Sequence, residues 1–167
     1  SAMGKTTNAL ELVIENYIEK KKEFQSSFQE VKKYHNQILL DLFENVNHQA
    51  FKKVNDLFDE LNSFLEVNKS PDYNFVYDQV IGYGELVSTT IVSEYFNHIG
   101  LSNNWIDART QIKTDNYYRR ANVNWTETQH AISSKLNTNT LNITQGFLGS
   151  DENNFTTTLG REGSDYT

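Results

Sequence analysis

Cysteine is absent, which excludes disulfides, thiolate metal sites and cysteine nucleophiles and fits a reducing compartment. No apolar run approaches the ~20 residues of a membrane span, and the first residues show no signal-peptide pattern. Positive charge is scarce: 15 Lys and Arg against 22 Asp and Glu give a net charge of -7. An acidic chain repels phosphate backbones, which argues against nucleic acid as a partner. The expectation is a soluble, cytoplasmic domain without membrane contact. Asn-x-Ser/Thr triplets at Asn68, Asn124, Asn142 and Asn154 follow from a high asparagine content, not from export. Apolar residues reach only 37%, but 10 Phe and 9 Tyr supply large buried area per residue. The 167 residues suffice for one domain with a real core.

The first half carries helical periodicity. Leu10, Val13, Ile14, Tyr17 and Ile18 share a face between Thr6 and about Lys22. Phe28, Val31, His35, Ile38, Leu39 and Leu42 repeat the pattern, as do Phe51, Val54, Leu57, Phe58, Leu61 and Leu65. Ser70-Pro71-Asp72 reads as a helix start, with serine at the N-cap and proline at N1. Val80–Ile99 is apolar on more than one face and reads as a central helix, with Gly82 and Gly84 as candidate breaks and Gly100 as the stop. Beyond it, strands are expected at residues 104–107, 141–144 and 155–159, with a helix over 126–136 capped by Thr126. The fold class is therefore α/β, a helix-rich first half with a small partial sheet. Open sheet edges make self-association an expectation.

Three stretches bear on chemistry. Gly160-Arg161-Glu162-Gly163-Ser164-Asp165 follows a strand and precedes an expected helix start. Such a turn allows close backbone approach, and the helix N-terminus suits a phosphate or carboxylate. Arg161 offers a planar fork for a carboxylate. The competing reading is an ordinary surface turn. Glu85 sits in an apolar segment and needs a partner, either a ligand ammonium or an internal Lys or Arg. Gly4-Lys5-Thr6 imitates the end of a P-loop but reads better as a helix N-terminus with Thr6 or Thr7 near the cap. His35, His48, His98 and His130 lack metal-ligand spacing.

Taken in series, Ser1-Ala2-Met3-Gly4-Lys5-Thr6-Thr7-Asn8, Gly84-Glu85-Leu86-Val87-Ser88-Thr89, Asp107-Ala108-Arg109, Thr144-Gln145-Gly146-Phe147-Leu148-Gly149 and Thr156 to Thr167 resemble the catalytic domain of aspartate kinases. These belong to the amino-acid kinase superfamily, whose fold is an α/β/α sandwich. The resemblance implies that Glu85 holds the α-ammonium of L-aspartate and Arg161 its α-carboxylate. It also implies that Ser1, Thr7 and Ser164 line the pocket and that Asp165 organises phosphoryl transfer from ATP with Mg. No nucleotide-binding residue is assigned within the chain. Residues 1–167 would be an internal part of one catalytic domain. The family's Lys-Phe-Gly-Gly-Thr strand would precede Ser1, and most of the nucleotide site and the regulatory ACT domains would follow Thr167. Glu162 departs from the family, which has glycine there. The chain alone is expected to be inactive. The alternatives are a non-catalytic aspartate-binding module, another amino-acid kinase or, on residues 6–65 alone, a helical interaction protein.

Overall fold

A computed structural model describes residues 1–136 and 139–160. Four helices come first: α1 (Thr6–Ile18), α2 (Phe24–Leu42), α3 (Gln49–Val67) and α4 (Tyr73–His98). Then follow β1 (Asn103–Ile106), a 3-10 turn (Ala108–Thr110), α5 (Trp125–Lys135), β2 (Leu141–Thr144), β3 (Leu148–Ser150) and β4 (Thr156–Thr158). The helix-rich first half and the small sheet elements agree with the α/β reading.

Periodic apolar positions place the helices. Phe28, Val31, His35 and Leu39 of α2 are buried, as are Ala50, Val54, Phe58, Leu61 and Leu65 of α3. Helix α4 is the hub, packed against α1 and α3 on one side and β1 and β4 on the other. Every residue from Asp78 to Ile91 is buried.

Gly82 and Gly84 do not break α4, which runs continuously through both. Each glycine lets another segment approach instead. A Cβ on Gly82 would stand 3.3 Å from Thr156 and 3.4 Å from Leu148. One on Gly84 would meet Ala2, Leu10 and Thr6 at 3.2–3.3 Å. A helix-interior glycine costs about 1 kcal/mol relative to alanine, offset here by close packing.

Helix ends differ from expectation in three places. Asp72, not Ser70, caps α4, its Oδ1 accepting from Asn74 N at 2.8 Å and Phe75 N at 3.4 Å. Asn124, not Thr126, caps α5 by accepting from Glu127 N at 3.2 Å. Helix α1 stops at Ile18, short of Lys22, because Lys20 adopts φ 53. Lys21 N then donates to Asn16 O, and Lys20 N to Tyr17 O, the bond pattern of a Schellman C-cap. The same pattern closes α4 at Gly100, with Leu101 N bonded to Phe96 O and Gly100 N to Asn97 O.

Strands β1 and β2 pair in parallel, with Trp105 opposite Ile143, and β3 and β4 pair antiparallel, with Gly149 opposite Thr157. Polar side chains of α4 bind the outer edge of β4. The Gln79 carboxamide donates to Thr156 O at 2.8 Å and accepts from Thr156 N at 3.0 Å. Asp78 Oδ2 accepts from Thr158 N at 2.8 Å. Gln145 ties the β2–β3 connection to the rest, accepting from Ala108 N at 2.8 Å and donating to Thr89 Oγ1 at 2.7 Å.

Candidate functional site

The N-terminal loop turns sharply into α1. Gly4 has φ 53, and a Cβ there would overlap the Tyr34 hydroxyl at 2.5 Å, so this turn needs glycine. Thr6 donates twice to Met3 O, from its nitrogen at 3.0 Å and its hydroxyl at 2.6 Å. Lys5 occupies the N-cap position of α1 without a side-chain cap bond, and Thr6 is the first helical residue. Gly4-Lys5-Thr6 is thus a helix start.

This loop lies against Glu85. The Glu85 carboxylate is buried, with the residue 6% exposed. Its Oε1 accepts from Ala2 N, and the Ser1 nitrogen stands 2.9 Å from Oε2. Oε2 forms no hydrogen bond among the described residues. Ser1 O accepts from Ser88 Oγ at 2.8 Å, fixing the loop to α4. No Lys or Arg side chain pairs with Glu85 among the described residues, so the internal-partner alternative is not realised there.

A cleft of about 720 Å³ opens beside this contact. Helix α1 contributes Thr7 and Glu11, and α4 contributes Tyr77 and Ile81. Phe147, Thr158 and Gly160 line the strand side, and Tyr117 to Arg120 form a loop wall. Glu85 stands one turn beyond Ile81 on the same face of α4. Ser1 meets Glu85 directly, whereas Thr7 is exposed and lines the cleft. Gly160, at the strand side, is the residue after which Arg161, Ser164 and Asp165 follow. Those three lie outside the described residues, as does Glu162.

The cleft is polar and its charges are organised. Tyr77 donates to Glu11 Oε1 at 3.1 Å, and burial, reinforced by the Glu11 carboxylate, pushes its phenol up to about 12. The Arg119 guanidinium lies 4.4 Å above the Tyr77 ring. Beneath this layer, Asp78 is fully buried and accepts three bonds of 2.8 Å, from Arg119 N, Thr158 N and Thr158 Oγ1. Burial raises its carboxyl to about 6.

The sequence did not single out Asp78, Tyr77, Glu11 or the 117–120 loop. The signal for Asp78 was there: like Glu85, it is a carboxylate inside a buried helix. Three of the four histidines hold packing positions, and His130 is exposed. His35 is core, its Nδ1 2.9 Å from Val31 O, with burial lowering its pKa, and His48 stacks on Phe43. Among the described residues no group of three or more His, Cys, Asp or Glu could hold a metal. No described helix is long and apolar enough to cross a membrane.

A chain in which α1 packs on a glycine-notched central helix, with a buried glutamate at the crossing, meets its class in sequence comparison. The model of the amino acid kinase family matches residues 1–167, and the chain belongs to that family. Within it, the chain is similar to aspartokinases. It is 36% identical over 94 residues to the lysine-sensitive aspartokinase 3 of Escherichia coli, an alignment covering 54% of this chain and 21% of that protein. Crystal structures of Escherichia coli aspartokinase III superpose on the whole chain and on 37% of their own length. The complex with lysine and aspartate gives a TM-score of 0.85 at 26% identity, and the complex with aspartate and ADP gives 0.84 at 27%. The chain thus spans well under half of the aspartokinases it matches.

Proposed function

We propose that residues 1–167 are an internal part of the catalytic domain of an aspartate kinase, which phosphorylates the side-chain carboxylate of L-aspartate. The observation that carries this reading is Glu85: a buried carboxylate with one oxygen lacking a hydrogen bond among the described residues, beside Ser1 and one turn from a polar cleft. A buried carboxylate in that state favours a cationic ligand group, and the α-ammonium of an amino acid fits it. Thr7 lines the same cleft.

In this proposal Arg161, just past Gly160, clamps the α-carboxylate, Ser164 sits beside the substrate and Asp165 organises the transfer centre. ATP with magnesium would supply the phosphoryl group. This chain's own residues bind and orient the acceptor, which is most of what phosphoryl transfer asks of a protein. Cytoplasmic location, and self-association of the isolated chain through sheet edges, belong to the same proposal; fractionation and sedimentation velocity test them.

The whole protein, given ATP, magnesium and L-aspartate, is expected to form an acyl phosphate that hydroxylamine traps, while the chain alone forms none. Arg161→Ala should raise KM for aspartate at least about tenfold with a smaller fall in kcat, and Asp165→Asn should mainly lower kcat. Aspartate binding without any hydroxamate from the whole protein would leave a non-catalytic binding module. An unchanged KM in Arg161→Ala would remove the clamp.

A further inference from the structure

One wall of the cleft has no role in the assignments above. Residues 115–121 fold into a loop fastened at both ends of its turn. Arg119 N donates to the buried Asp78 at 2.8 Å, Arg120 N to Tyr117 O at 3.0 Å, and Ala121 N to Thr158 O at 3.0 Å. Arg119 holds φ 67, a left-handed conformation that non-glycine residues seldom adopt. Its side chain is committed to aromatic faces, 4.4 Å over Tyr77 and 5.8 Å over Tyr73.

Arg120 is not committed. It lines the cleft, is exposed, and its side chain makes no hydrogen bond or ion pair among the described residues. Its Cγ lies 3.8 Å from where a Cβ on Gly160 would stand, so it flanks the strand end that leads to Arg161. A planar, permanently charged fork on an anchored loop, at the rim of a polar cleft, is suited to an oxyanion. A loop that served only to close the surface would not need both backbone nitrogens at its tip fixed to the floor and strand of the cleft.

We propose that Arg120 is an anion-binding residue of this cleft, separate from the ammonium site at Glu85, and that it takes a carboxylate or phosphoryl oxygen of the bound reactants. The proposal rests on the aspartate kinase reading for the identity of those reactants. Two sources supply such an oxyanion: the side-chain carboxylate of aspartate and the phosphates of the nucleotide.

Dissociation constants for L-aspartate and for ATP, measured separately by calorimetry on the whole protein, distinguish them. Arg120→Ala should weaken one ligand about tenfold and leave the other within about twofold. Loss in the aspartate arm assigns the carboxylate, and loss in the ATP arm assigns the phosphates. Arg120→Lys should recover part of the loss, since it keeps the charge without the fork. Lys33→Ala, which removes one positive charge on α2 outside the cleft, controls for the general field and should change neither constant.

Both constants unchanged in Arg120→Ala, with a wild-type melting temperature, overturn the proposal. An equal loss in Lys33→Ala overturns it as well. A wild-type protein that binds neither ligand sinks this proposal and the aspartate kinase reading together. Aspartate binding without hydroxamate formation sinks the kinase reading alone, and Arg120 is then judged on the aspartate constant.

Discussion

Asp78 and Glu85 stand two helical turns apart on α4, both buried, and their surroundings are opposite. Asp78 is enclosed by donors from the loop at Arg119 and from β4 at Thr158, and both of its oxygens are occupied. Glu85 faces the N-terminal loop with both oxygens: Oε1 accepts from Ala2 N, while Oε2, 2.9 Å from the Ser1 nitrogen, has no hydrogen bond among the described residues. Both carboxylates join elements, but only Asp78 has a hydrogen bond at each oxygen. Burial alone does not tell them apart, whereas the count of donors around each oxygen does.

The largest expected effect separates two variants at Asp78. Alanine leaves the Arg119 and Thr158 nitrogens and the Thr158 hydroxyl without their acceptor, at about 1–3 kcal/mol each. Asparagine can replace both roles: its oxygen accepts the two N–H groups and its amide donates to the Thr158 hydroxyl. Asp78→Ala should therefore be about 4 kcal/mol less stable than Asp78→Asn in urea denaturation. Equal stability would mean that Asp78 does not join the loop to β4.

A somewhat smaller effect is a pH dependence. The Asp78 carboxyl is raised from 3.8 to about 6, chiefly by burial, against the lowering influence of its hydrogen bonds and the Arg119 charge. The folded state therefore holds this proton more tightly than the unfolded chain does. The resulting stabilisation is complete below about pH 4 and is lost as pH rises through about 6. Two pH units correspond to about 3 kcal/mol. Asp78→Asn, which cannot ionise, should match the wild type near pH 4 and exceed it by up to about 3 kcal/mol at pH 7. A constant difference across that window would break the account.

The smallest effect on folding, and the one confined to the ligand, belongs to Glu85. Glu85→Gln keeps the shape and the bond from Ala2 but removes the charge. The KM for aspartate should rise about tenfold, close to 1.4 kcal/mol, with little change in kcat or in melting temperature. If Glu85→Gln destabilised the fold as Asp78→Ala does, the contrast between the two carboxylates would vanish.

The helices were legible because apolar positions at 3.6-residue spacing say directly which face is inside. Their ends were legible only where the residue type matched the geometry. Gly100 and Lys20 close their helices with the same bonds, yet only the glycine announced itself. Gly82 and Gly84 misled in the other direction, because what they accommodate is another segment far along the chain. Glu85 was legible as a charge in an apolar run. Asp78 carries the same signal but sits just before the stretch that reads as apolar, and its partners are 41 and 80 residues away. Arg120 has no local signature at all, since its position depends on those same long-range bonds.

The outer edge of β4 has a consequence for how the chain meets other chains. An exposed strand edge is a template, because its free N–H and C=O groups invite another strand. Here the outward groups of Thr156 are taken by Gln79, and those of Thr158 by Asp78 and Ala121 N. On the other side, β3 is bridged to Lys113. The outer edge of β4 is thus covered by two α4 side chains and the Ala121 backbone, which leaves little for another strand to pair with. Asp78 and Gln79 cover a strand edge as well as fastening one wall of the cleft.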